Sequence, residues 1–230
     1  MRNIADEKPT DALAGRTLYS TKFIDDVDIV GKTILDIGCG YGWLELNLVE
    51  RGCRRVNGLE YKEGDLFTAK KYITNDSILF DTGSAIAIPY EDNYFDTVIS
   101  FEVIEHIPKN TEEKMFSEVQ RVLKNNGKFY ISTPNDNFFS KIFDPAWLLI
   151  GHRHYDIDYL TELGKKSGFQ VKNATIKGGW WEIIHLNDLY LAKWLFHRKP
   201  FFQDILKKKI SQEYNKEGFY TLFLCFTKIV

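Results

Sequence analysis

Thr33-Ile34-Leu35-Asp36-Ile37-Gly38-Cys39-Gly40-Tyr41-Gly42 is the stretch on which the reading of this chain turns. An apolar run of strand length carries an acid at Asp36 and is followed by glycine at every second position. Trp43-Leu44-Glu45-Leu46 then reads as the start of a helix. A turn this tight needs backbone angles open mainly to glycine, and absent side chains let a ligand touch the main chain.

Outward from this turn, strands and helices alternate. Arg55 to Glu60 reads as a second strand closing on an acid, Asp65 to Tyr72 as a helix, and Ser77 to Phe80 as a third strand. Asp96 to Phe101 is a fourth strand. Thr111 is placed to cap a helix through Leu123, with Glu112 and Glu113 favoured in its first turn by the dipole. Asn125-Asn126-Gly127 ends that helix, and Lys128 to Ser132 is a fifth strand. Asp156 caps a helix to Ser167, Phe169 to Ile176 is a sixth strand, and Gly218 to Phe226 is a strong buried strand. Upstream of the turn, apolar residues at Leu18, Tyr19, Phe23, Val27 and Val30 predict a helix within Leu13 to Val30. Alternating strands and helices point to a parallel sheet covered on both faces.

The chain has 230 residues, enough for one α/β domain with a substantial core. A formal net charge of −2 offers no electrostatic reason to expect nucleic acid. Three widely spaced cysteines, Cys39, Cys53 and Cys225, suggest neither a disulfide framework nor a zinc site. Residues 1–8 are polar and lack the apolar core of a signal peptide, and no window has the length of a membrane span. A cytoplasmic protein is expected. Residues 1–230 read as a single domain in which residues 178–214 form an insert before the last strand.

The turn resembles the first motif of class I S-adenosylmethionine-dependent methyltransferases. A nicotinamide dinucleotide fold would want G-x-G-x-x-G, and Trp43 occupies the place of its third glycine. The resemblance implies a Rossmann-like, seven-stranded, mostly parallel sheet with helices on both faces and an antiparallel last strand. It also implies S-adenosylmethionine as cofactor, cradled by Asp36, Gly38, Gly40 and Gly42. Glu60, with Tyr61 beside it, stands where an acid accepts hydrogen bonds from the ribose hydroxyls. Gly83-Ser84-Ala85 is similar to the family's Gly-Asp-Ala; Ser84 replaces the acid that contacts adenine in relatives, and Ala85 follows it. Phe101 and Glu102 border the methionine end.

Phe101-Glu102-Val103-Ile104-Glu105-His106-Ile107 resembles the Glu-x-x-Glu-His segment of the methyltransferases that O-methylate ubiquinone precursors. In some of these the two acids and the histidine hold a divalent cation. The same letters also serve as caps and core hydrogen bonds, and no resident metal is expected here. Gly151-His152-Arg153-His154-Tyr155 is similar to a stretch lying near the transferred methyl in relatives. His152, His154 and His106 are therefore the candidate bases. Arg16 and Tyr19 resemble a pair that closes over the cofactor carboxylate, although a salt-bridged surface arginine explains Arg16 as well.

The expected function is methyl transfer to a hydroxyl of a small molecule, lipid-linked or saccharide. The Asp/Asn-Pro-Pro-Tyr box of amino-methylating nucleic-acid enzymes and the Pro-Cys nucleophile of cytosine-5 enzymes are both absent. A nicotinamide-dependent oxidoreductase and a non-catalytic cofactor-binding module are the rival readings. The aromatic, Lys- and Arg-flanked insert suits a helix lying on a membrane, a lid over an apolar acceptor or a homodimer interface. Its blandest account is a helical pair packed on the sheet.

Overall fold

A computed structural model describes residues 9, 13–145, 147, 151–192, 196–198 and 200–229. The polar amino terminus (residues 1–8) and Trp194, Leu195 and Lys199 of the insert lie outside the described residues. The elements run α1 (Gly15–Phe23), β1 (Thr33–Ile37), α2 (Trp43–Glu50), β2 (Arg55–Glu60), α3 (Glu63–Tyr72), β3 (Ile78–Thr82) and β4 (Phe95–Phe101). They continue α4 (Glu112–Val122), β5 (Leu123–Pro134), α5 (Phe138–Phe143), α6 (Ile157–Lys166), β6 (Phe169–Lys177), α7 (Trp180–Tyr190), α8 (Gln203–Glu213) and β7 (Thr221–Lys228).

The seven strands form one sheet in the order β3-β2-β1-β4-β5-β7-β6. β1 to β5 pair in parallel, and β7 runs antiparallel to both β5 and β6, as expected from the sequence. Side chains alternate across it with period two. Leu35, Val98, Phe129, Leu224 and Phe226 face a core with Met115, Phe116 and Val119 of α4 and Leu160 and Leu163 of α6. Ile34, Ile99, Tyr130, Phe223 and Cys225 face the other core, with α1, α2 and Leu206 and Ile210 of α8. The strand order reverses between β1 and β4, so their carboxyl ends open a crevice, the usual ligand position in such sheets.

Three local expectations are corrected. The amino-terminal helix stops at Phe23, and a 3-10 turn occupies Asp26–Asp28. Val27 and Val30 project into solvent, while the Arg51 guanidinium binds the carbonyls of Thr21 and Ile24 and so closes the helix end. Thr111 precedes α4, but its hydroxyl donates to the Pro108 carbonyl at 2.6 Å instead of capping the helix. Asn125-Asn126-Gly127 does not end the helix: α4 stops at Val122, and β5 runs from Leu123 through a register shift.

The insert divides. α8 packs on the sheet through Leu206, Ile210 and Tyr214 and clasps α1, where the Gly15 N–H donates to Ser211 Oγ at 2.9 Å. α7 reaches outward. Both hang from a narrow neck at which the Gly218 N–H donates to the Ile176 carbonyl and the Phe219 N–H to the Gly178 carbonyl. A Cβ at Gly218 would fall 2.1 Å from the Gly178 carbonyl oxygen, so the neck admits only glycine there. Among the described residues no helix is long and apolar enough to cross a membrane.

Candidate active site

Gly38, Gly40 and Gly42 all take positive φ, +79°, +53° and +83°, in the turn joining β1 to α2. At Gly38 the reason is double. The angle is left-handed, and a Cβ would sit 2.4 Å from Val103 Cγ2, so the glycine lets the segment after β4 pack against the turn. At Gly40 no atom lies within 4 Å of the place a Cβ would take, and the backbone faces open space. Replacing Gly38 by alanine is expected to cost roughly 1–3 kcal/mol of stability, read as a lowered thermal midpoint. An unchanged midpoint would show that the turn relaxes freely.

Glu60, at the end of β2, points at this turn. Its Oε2 accepts from the Gly40 N–H at 3.3 Å and its Oε1 from the N–H groups of Tyr61 and Lys62. The carboxylate is thereby oriented with acceptor sites left over. Tyr61 is exposed beside it. Beneath the turn, Asp36 and Glu45 form a buried pair of acids. Burial and then Glu45 and Glu60 push the Asp36 carboxyl well up. Burial raises Glu45 to about 8.

Ser84 and Ala85 lie in the turn after β3, where Ser84 Oγ accepts from the Ile86 N–H at 3.4 Å. That hydroxyl is engaged with its own turn. Phe101, at the end of β4, packs edge-on against Phe223. Glu102 follows with φ +59°, a strained angle for this residue. Its Oε2 accepts from Arg16 Nη1 at 2.6 Å and its Oε1 from the Ser132 hydroxyl at 2.8 Å. Arg16 lies also 3.5 Å from Glu182 of α7, which accepts from the Tyr214 hydroxyl. Burial raises Glu182 to about 7, against the opposing pull of Arg16. Arg16 is therefore no surface salt bridge: it links the cap helix to the carboxyl end of β4.

The histidines gather on the opposite rim. His152 Nδ1 lies 2.9 Å from Asp144 Oδ2, and its Nε2 lies 3.3 Å from His106 Nε2 and 3.7 Å from Glu105 Oε1. The carboxylate fixes the tautomer, leaving Nε2, which faces His106 and Glu105, as the ring nitrogen free of that proton. Desolvation, and then His152 beside it, hold His106 below the usual histidine range. Glu105 is buried; Oε2 accepts from the Thr133 hydroxyl at 3.0 Å, whereas Oε1 has no hydrogen-bond partner. One donor atom each from Glu105, His106 and His152 falls within 4.8 Å of the others. His154 is set apart. Its ring is fully buried, 3.4 Å from Asp144, and has no surface through which to meet an acceptor.

Arg153 clasps this rim together. It donates to the carbonyls of Ile104, Glu105 and Ile107 and to Glu112, tying the segment after β4 to the one before α6. Asp144, Arg153 and Glu182 are absent from the sequence-predicted set: Arg153 and Glu182 find partners on other elements, whereas Asp144 meets His152 and His154 within one connecting segment. A depression of about 460 Å³ lined by Leu18, Asp25, Asn47 and Arg51 lies at the far end of α2 from the glycines.

Comparisons with known proteins agree with this geometry. Residues 35–131 match a family described as Methyltransferase domain. A Mycolicibacterium smegmatis chain named for S-adenosylmethionine-dependent methyl transfer is 33% identical over 144 residues, 63% of this chain and 54% of that one. The sterol 24-C-methyltransferase of Gibberella zeae is 29% identical over 69% of this chain and 42% of its own. The mitochondrial ubiquinone biosynthesis O-methyltransferase of Dictyostelium discoideum is 28% identical over 64% and 50%. The chain thus spans about half the length of these relatives. A solved S-adenosylmethionine-dependent methyltransferase of Mesorhizobium loti superposes with TM-score 0.65 at 16% identity, covering 92% of this chain and 96% of that one. The cyclase SpnF superposes equally well, TM-score 0.65 at 16% identity over 98% and 88%, so reaction type is argued from the site and not from the fold.

Proposed function

We propose that this chain is a class I S-adenosylmethionine-dependent methyltransferase and that it transfers a methyl group to a hydroxyl of a small acceptor. The carrying observation is the cradle itself, an open backbone at Gly40 with the Glu60 carboxylate aimed across it. Glu60 would receive the ribose hydroxyls, and the Arg16–Glu102 ion pair matches the charged ends of an amino acid. S-adenosylmethionine supplies an electrophilic methyl carbon on a sulfonium. In-line attack by the acceptor oxygen would form the O–C bond as the C–S bond breaks and the neutral thioether leaves, and because positive charge disperses no oxyanion pocket would be required. Positioning by the rim supplies much of the effect.

A hydroxyl acceptor must lose its proton, and His152, oriented by Asp144, is the base we assign, with His106 as its partner. A second reading rests on the orphaned Glu105 Oε1: with His106 and His152 it offers a donor set for a divalent cation. A rate unchanged by chelator supports the base; a rate lost to chelator and restored by Mg²⁺ or Zn²⁺ supports the cation. The relatives named for sterol, ubiquinone and tocopherol methylation make a lipid-linked acceptor the first choice over a saccharide.

Titration calorimetry with S-adenosylmethionine and its demethylated product tests the cradle. Binding by the native chain is expected, and Glu60→Ala should weaken it by about tenfold to a hundredfold through lost charge-assisted hydrogen bonds. A flat native isotherm refutes the proposal. Heat with a nicotinamide dinucleotide instead would favour the oxidoreductase. Binding without release of labelled methyl to any hydroxylated acceptor would leave a non-catalytic module.

A further inference from the structure

The cap formed by α5, α7 and α8 turns many of its apolar side chains outward. In α5 the buried residue is Ser140, while Phe138, Phe139, Ile142 and Phe143 are exposed. In α7 the acids Glu182 and Asp188 are buried beside Ile183, and Trp180, Ile184 and the following Leu191 are exposed. At 100° per residue those three fall within an arc of about 40°, a continuous outward apolar face. The acids have inward partners. Asp188 accepts from the N–H groups of Phe201 and Phe202, and Glu213 of α8 accepts from those of Trp181 and Glu182. Water is a poor solvent for such a face, and monomeric proteins rarely expose apolar patches of this extent.

Charge says what covers it. The chain carries a net −2, yet the cap's exposed charges include Arg198, Lys207, Lys208 and Lys209. Lys209 lies over the Trp181 ring at 5.3 Å and Arg198 over Phe201 at 4.4 Å. Aromatic bodies with cations stacked on them suit the headgroup boundary of a bilayer. A second copy fits less well, because a two-fold interface on this face would bring the lysines of both copies into one contact.

We propose that the cap seats on an anionic lipid surface, with Phe138, Ile184 and Ile205 in the headgroup boundary and Lys207, Lys208 and Lys209 against the phosphates. Arg16 joins α7 to Glu102, so docking sets the mouth of the site beside the bilayer. The acceptor is then lipid-borne; this last step alone rests on the methyl-transfer reading.

The test is co-sedimentation of the full chain with phosphatidylcholine vesicles, with and without phosphatidylglycerol, alongside tryptophan emission. Binding to anionic vesicles should exceed binding to neutral ones by about tenfold or more, with a blue shift. Lys207→Glu with Lys208→Glu should remove that preference, and Phe138→Ser with Ile205→Ser the blue shift. Calorimetry with S-adenosylhomocysteine serves as the folding control. Failure of the native chain to sediment with anionic vesicles overturns the proposal. So do variants that bind as it does, or a concentration-dependent dimer that ignores vesicles. A chain that binds the nucleoside but not vesicles refutes docking alone; the converse refutes methyl transfer alone.

Discussion

Replacing His152 by asparagine is expected to lower kcat by about 10²–10⁴-fold, with the affinity for S-adenosylhomocysteine unchanged. The ring is placed from three directions. Asp144 holds Nδ1, the peptide of Tyr155 pairs with the end of β5, and Arg153 pins the preceding loop to the carbonyls of residues 104, 105 and 107. An asparagine keeps the polarity but cannot take the proton. His106→Asn should have a smaller effect, because His106 is assigned the supporting place beside His152 Nε2, 3.3 Å away. His154→Asn should leave the rate within a few-fold, its ring being sealed from the crevice. Rates are measured with the acceptor that labelled-methyl transfer identifies. Equal losses at His152 and His154 would show that the stretch acts structurally and that the base lies elsewhere.

Glu45→Gln is expected to stabilise the fold, and to do so more at pH 8 than at pH 5. Glu45 is fully buried against Asp36, and its carboxyl is raised from 4.5 to about 8. Between those values the folded state holds a proton that the unfolded chain releases, so stability falls as pH rises through that window. The amide keeps the shape, offers Asp36 a donor and never ionises. The gain should reach roughly 2–4 kcal/mol at pH 8 and stay below about 1 kcal/mol at pH 5, read as the difference between thermal midpoints. An equal shift at both values would mean that Glu45 does not titrate in this window.

What was legible in the sequence was local or periodic. Each central strand shows in its residues because both faces are buried, and the turn from Gly38 to Gly42 with Glu60 shows because a strand end, a glycine and an acid sit at short range. The error over Leu13 to Val30 came from counting Val27 and Val30 as buried when both are exposed. Arg153 and Glu182 were hidden for a different reason. Each does its work across the fold, as Arg153 does on Glu112, 41 residues away, and Glu182 on Tyr214, 32 away. Spacing along a chain carries no trace of such contacts. The aromatic insert was visible as composition, yet the outward turn of its apolar side depends on where Glu182 and Asp188 find partners.

The pinched neck between β6 and β7 has an evolutionary consequence. Everything from Gly178 to Gly218 enters and leaves through one zipped stem, so α7 and the loop after it can be lengthened, trimmed or exchanged without slipping the register of either strand. Descendants of this chain are free to change what the insert touches while inheriting the turn from Gly38 to Gly42 and its contact with Glu60.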